Sequence, residues 1–106
     1  MSSAYELQYH PEIGDDMFDI FTLIEGYAGS EVAHRKLNDI ERTMKGLTDF
    51  PHNGSLREDF GQNIRAIPAG KKGVICFSVN EKERVFFILP VTYAGADWMS
   101  RIASRL

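Results

Sequence analysis

The apolar residues between Ile13 and Leu47 fall into two runs that step by four, three, four and three. The first is Ile13, Met17, Ile20, Ile24 and Tyr27, and the second is Ala33, Leu37, Ile40, Met44 and Leu47. This stepping places each run on one face of a helix. The segment "GYAGS" separates them, with Ser30 placed to cap the second helix. Helices joined by so short a break lie antiparallel as a hairpin. Two apolar faces on one side of a hairpin need a common cover, and that requirement governs the rest of the chain.

The cover comes from strands. "YELQY" alternates Tyr5, Leu7 and Tyr9 with polar residues, and His10-Pro11 then leads into the first helix. Phe50-Pro51 stops the second helix, and "PHNGSLREDFG" reads as a polar connection. Three strand-like runs follow, "NIRAIPA", "KGVICFSV" and "RVFFILPV", with short links "GKK" and "NEKE" suited to hairpins. An antiparallel meander is expected. "GADWMSRIASRL" sets Trp98, Ile102 and Leu106 at four-residue spacing, a short final helix. The order βααβββ plus a tail predicts a single α+β domain over 1–106, both helices packed on one sheet face. Pro90 is anomalous in the last strand, because a proline gives no N–H to a ladder and belongs at edges or bulges.

A chain of 106 residues, 43% hydrophobic, is long enough to bury roughly two-thirds of its unfolded surface without disulfides. Cys76, flanked by Ile75 and Phe77 with no cation adjacent, reads as a buried structural thiol. No run approaches the roughly 20 apolar residues of a membrane span, and "MSSAYELQYH" lacks the order of a signal peptide. A soluble cytoplasmic protein is expected. The net charge of -3 argues against a surface devoted to phosphate backbones.

Little in the chain points to catalysis. His10, His34 and His52 fall on three different elements, and Asp15, Asp16 and Asp19 spread around the first helix as a solvated face, so no metal site is expected. "AGKKG" joins two strands and reads as a hairpin turn, not a phosphate loop. No elbow motif exposes a serine. No cofactor and no catalytic residue are assigned. The polar residues that stand out are Arg65 within an apolar strand, Lys71 and Lys72 in its turn, and Tyr93, Asp97 and Arg101 near the end of the last strand. Arg65 must face solvent, lie at an edge or pair with a carboxylate.

The order of elements and several motifs resemble the ParE branch of the RelE/ParE toxins of bacterial toxin–antitoxin modules. "YELQYHPEIGDDMFDIFTLIE" is similar to the family's opening strand and helix, with Asp19-Ile20 and Leu23-Ile24 in its rhythm. "LTDFPHNG" is similar to the leucine, proline and glycine after its second helix. "NIRAIPAGKKGVICFSVNEKERVFFILPV" resembles its three closing strands. The chain departs from the pattern where the family commonly carries arginines, which here are Pro90 and Ala96. Ribonuclease members use cations on the sheet and a terminal Tyr or His, so the resemblance implies that this strand end is disarmed for RNA cleavage.

The resemblance implies a plasmid-stabilisation type of toxin, acting non-catalytically on DNA gyrase and neutralised by a ParD-like antitoxin in a hetero-oligomer. It leaves open a ribosome-dependent ribonuclease and a toxin fold of reduced toxicity kept for antitoxin binding. Arg65, Lys71, Lys72, Tyr93, Trp98, Arg101 and Arg105 are the candidate target-binding residues. Phe18, Phe21 and Leu23, apolar beyond the core stripe, are the candidate antitoxin contacts. The tail from Gly95 is expected to be peripheral to folding.

Overall fold

A computed structural model of the chain describes residues 5–49, 54–57, 63–94 and 98–105. The first strand, β1 (Glu6–Tyr9), turns at His10-Pro11 into α1 (Ile13–Ala28). His10 closes that turn twice, its Nδ1 accepting the Glu12 N–H at 3.1 Å and its carbonyl accepting the Ile13 N–H at 3.0 Å. Helix α2 (Ser30–Gly46) follows after one residue, Gly29. Gly29 has φ of 92°, a conformation that glycine adopts without strain. Gly29 occupies the N-cap position expected of Ser30, which is instead the first residue of the helix.

A single 3-10 turn at Leu47–Asp49 ends the hairpin, and the chain returns through β2 (Ser55–Leu56), β3 (Ile64–Ala69), β4 (Gly73–Asn80) and β5 (Val85–Tyr93) to α3 (Trp98–Arg105). The five strands form one sheet in the order β1-β5-β4-β3-β2. Strands β3 to β5 make the expected antiparallel meander, whereas β1 joins β5 in parallel. The short β2 lies within the stretch read as a connection. Two residues between turn signals carry no periodicity, so pairing with β3 alone makes them a strand.

Alternation along the strands divides the core. Ile75, Phe77, Phe86 and Ile88 face the hairpin and meet Ile20, Ile24, Ile40 and Met44. The rings of Phe77 and Phe86 stack at 5.5 Å, and Tyr5 meets Phe86 edge-on at 5.1 Å. Ile64, Cys76 and Leu89 point to the opposite face, where Ile102 from α3 covers them and is itself 1% exposed. The final helix therefore closes a second core cluster. It is not a peripheral element, contrary to the expectation from sequence.

Candidate partner-binding site

Pro90 lies where β4 and β5 slip register. Ile75 pairs with Val91 and Phe77 with Ile88, so Leu89 and Pro90 together stand opposite Cys76 in a bulge. A bulged residue owes the ladder no N–H, which is the condition a proline needs. The slip falls just past the end of β1, whose last pair is Tyr9 with Ile88. Beyond it the edge of β5 is completed by side chains. The Val91 N–H donates to Asp16 Oδ2 at 3.0 Å, and the Leu89 carbonyl accepts from Arg105 at 2.7 Å.

Asp16 is the centre of this arrangement. Its carboxylate is 1% exposed and also accepts from Arg101 at 2.8 Å and from Arg105 at 2.6 and 2.7 Å. The expectation of a solvated Asp16 is thus corrected. The spacing held the signal, since Asp16 sits three residues after Ile13 and four before Ile20, within the buried stripe. A carboxylate there must be paired. Hydrogen bonding to Asp16, above all, holds the Arg105 guanidinium above its already high range. Arg105 has a side chain only 5% exposed, while Arg101, at 35%, also reaches Asp19 at 3.8 Å. Of the candidate target-binding residues, Arg105 is committed to the interior and Arg101 is half available. Trp98 opens α3, and its side chain, like Ala96 and Asp97, lies outside the described residues.

Tyr93 ends β5 on the hairpin face at 6% exposure, its hydroxyl 3.3 Å from that of Tyr27 in the last turn of α1. Burial, reinforced by the bond to Tyr27, pushes the Tyr93 phenol up to about 12. Such a group keeps its proton near neutrality and is a hydrogen-bond donor, not a base. The Tyr27 ring, assigned by periodicity to the core, is 57% exposed and carries Lys72 Nζ 6.0 Å from its centroid. Lys71 and Lys72 are exposed in the turn between β3 and β4. That turn is held firmly, because the Lys72 carbonyl accepts the Ala94 N–H at 2.9 Å and Gly73 pairs with both Ala69 and Tyr93.

Arg65 is half-buried in β3 beside β2, with its guanidinium 3.5 Å from the Gly54 carbonyl. It pairs with Phe77 while Tyr93 pairs with Gly73, four residues along β4 and one strand over, so the candidate target-binding residues do not gather in one place. The three apolar candidates on α1 also separate. Phe18 is 68% exposed, Phe21 leans toward α2 with its ring 4.8 Å from that of His34, and Leu23 lies about 140° around the helix from Phe18. Leu23 instead lines a recess with Asp19, Tyr93 and Arg101. A larger groove of about 430 Å³ runs along the hairpin between Tyr9, Met17, Leu37 and Met44, with His34 and Glu41 on its rim. Among the described residues, exposed apolar side chains (Phe18, Leu23 and Tyr27) and the turn lysines Lys71 and Lys72 thus share the surface around the hairpin.

No family model matches the sequence, and a search of curated proteins returns no match. Solved structures do match. The chromosomal ParDE TA system from P. aeruginosa superposes with a TM-score of 0.74 at 19% identity, covering 88% of this chain and 99% of that one. A mutant of the E. coli toxin RelE in the free state gives 0.63 at 16% identity over 96% of each chain. The toxin–antitoxin complex RelBE2 from Mycobacterium tuberculosis gives 0.62 at 14% identity, over 86% of this chain and 99% of that one.

Proposed function

We propose that this chain, which has the fold of the RelE and ParE toxins, is the toxin component of a type II toxin–antitoxin module. In this reading it acts on DNA gyrase by binding and is held inactive by a ParD-like antitoxin. The likeness to a ParDE system supports the module, and the antitoxin partner follows from it. The observation that carries the mode of action is Tyr93. The residue best placed by sequence to act as acid or base is buried, bonded to Tyr27 and raised to about 12. Cleavage of RNA also needs cations at the scissile phosphate. Arg105 is spent on Asp16, and Pro90 stands where the resembled family commonly carries an arginine. What remains exposed suits recognition of a protein, and the antitoxin fits the apolar groove along the hairpin and the exposed Phe18.

Induced expression in a bacterial host tests this reading. A DNA-damage response with continuing translation, together with persistent cleaved DNA in a purified gyrase assay, is the expected result. Arrest of translation without DNA damage would establish the ribonuclease reading instead. Growth unaffected by expression would leave a fold retained for antitoxin binding.

A further inference from the structure

We propose that the corner formed by the end of α1, the middle of α2 and the β3–β4 turn docks an acidic segment of a partner protein. Its carboxylates would meet Lys36, Lys71 and Lys72, and an apolar side chain between them would lie on Tyr27 and Leu23. The inference rests on the reading of the chain as a protein-binding module and adds the chemistry of the partner.

Charge singles out this corner. The chain has a net charge of -3, yet Lys36 and Lys71 line one small recess with Tyr93, and Lys72 stands beside them over Tyr27. The carboxylate that shares the recess, Asp39, is already paired with Arg42 at 2.9 Å. The local excess is therefore positive, and it sits beside apolar surface: Tyr27 is 57% and Leu23 49% exposed. The two phenols contribute as well. Only one of the two hydroxyl protons of Tyr27 and Tyr93 can be used between them, so the other is left to donate to an anion. The turn that presents the lysines is pinned by the Lys72–Ala94 bond, so little ordering is needed on binding.

A carboxylate-bearing peptide fits better than a nucleic acid. The recess measures about 30 Å³, room for a single small group. A phosphate backbone would bring continuous negative charge to a recess that holds one small group, along a protein that is itself acidic. An acidic segment with apolar residues between its charges can place one carboxylate in the recess and lay the next side chain on the tyrosine.

The test uses the isotope-labelled full chain and three probes: a short synthetic peptide alternating glutamate with leucine and phenylalanine, the same peptide with lysine for glutamate, and single-stranded oligothymidine. Amide shifts are expected at Gly70 to Gly73 and around Lys36 with the acidic peptide alone, weakening with salt. The double variant Lys71→Glu/Lys72→Glu should lower the affinity on the order of tenfold while keeping the melting temperature. Tyr27→Ser should lower it further, and Lys82→Glu, in the exposed turn between β4 and β5, should leave it unchanged. Shifts confined to the hairpin groove, equal binding of the lysine peptide, tighter binding of the oligonucleotide, or no binding at millimolar peptide would each overturn the proposal. Binding is read on purified protein, so failure of the gyrase reading would leave this result standing, and the reverse holds too.

Discussion

The guanidinium of Arg105 meets the carboxylate of Asp16 end to end, Nη1 on Oδ2 at 2.6 Å and Nη2 on Oδ1 at 2.7 Å, across 89 residues of sequence. This fork geometry fixes direction as well as distance. It orients α3 against both α1 and the bulged edge of β5, because the same nitrogen Nη1 also reaches the Leu89 carbonyl. The position of α3 thus depends on one buried carboxylate together with the packing of Ile102.

Breaking the pair from either side should be costly. Asp16→Ala leaves Arg105 buried without its partner and should destabilise the fold by about 3–5 kcal/mol. Arg101→Ala, removing a half-exposed partner, should cost about 1 kcal/mol. Denaturant melts of Asp16→Ala, Arg105→Ala and the double variant form a cycle. A double variant no worse than either single one is expected, and strict additivity would refute the coupling.

A chain ended at Ala94 loses both arginines and Ile102 together. Asp16 then keeps only the Val91 N–H, and Ile64, Cys76 and Leu89 lose their cover. Loss of cooperative unfolding, or a fall in stability of at least about 4 kcal/mol, is the expected outcome by circular dichroism. A truncated chain that melts within a few degrees of the full one would show that α3 does not hold the core.

Tyr93 makes a prediction at alkaline pH. Below pH 10 both folded and unfolded chains hold its proton and its contribution to stability is fully present. Between pH 10 and about 12 the unfolded chain releases the proton while the folded chain retains it, so stability falls as pH rises. The loss from this residue should total about 2–3 kcal/mol across that window. Tyr93→Phe should show a shallower decline than the parent in paired melts from pH 9 to 12, and identical slopes would contradict the assignment.

Two backbone positions next to the Lys71-Lys72 turn should respond in opposite directions. A Cβ on Gly73 would meet the Ala69 carbonyl oxygen at 2.5 Å, so Gly73→Ala should open the turn at a cost of about 1–3 kcal/mol. Ala94 has φ of 57°, a left-handed conformation that an L residue adopts at a cost of about 1–2 kcal/mol. Ala94→Gly should be neutral or stabilising by up to about 1 kcal/mol, as read from the denaturation midpoint.

The hairpin and the meander were legible because their information is local. Periods of 3.6 and 2 report which side of each element is buried, and Gly29 and the Gly70–Lys72 turn mark where the chain reverses. Pro90 likewise announced a break in β5 without saying what filled it. The rest depended on partners far apart in the chain. β2 is too short to have a period, and the parallel seat of β1 beside β5 is a choice of neighbour that no local pattern encodes. Asp16 carried a sequence signal in its place on the buried stripe, but its partners, Arg101 and Arg105, lie 85 and 89 residues away. Tyr27 shows the reverse case, a residue in phase with the core yet more than half exposed, because β5 ends at Tyr93 and offers it a hydroxyl and the Lys72 ammonium in place of an apolar cover. Periodicity determined which face of each element turns inward. The closing of the chain on itself decided which charges are buried with partners and which, like Lys71 and Lys72, remain free to meet another molecule, since burial of a charge depends on the groups that tertiary packing brings to it.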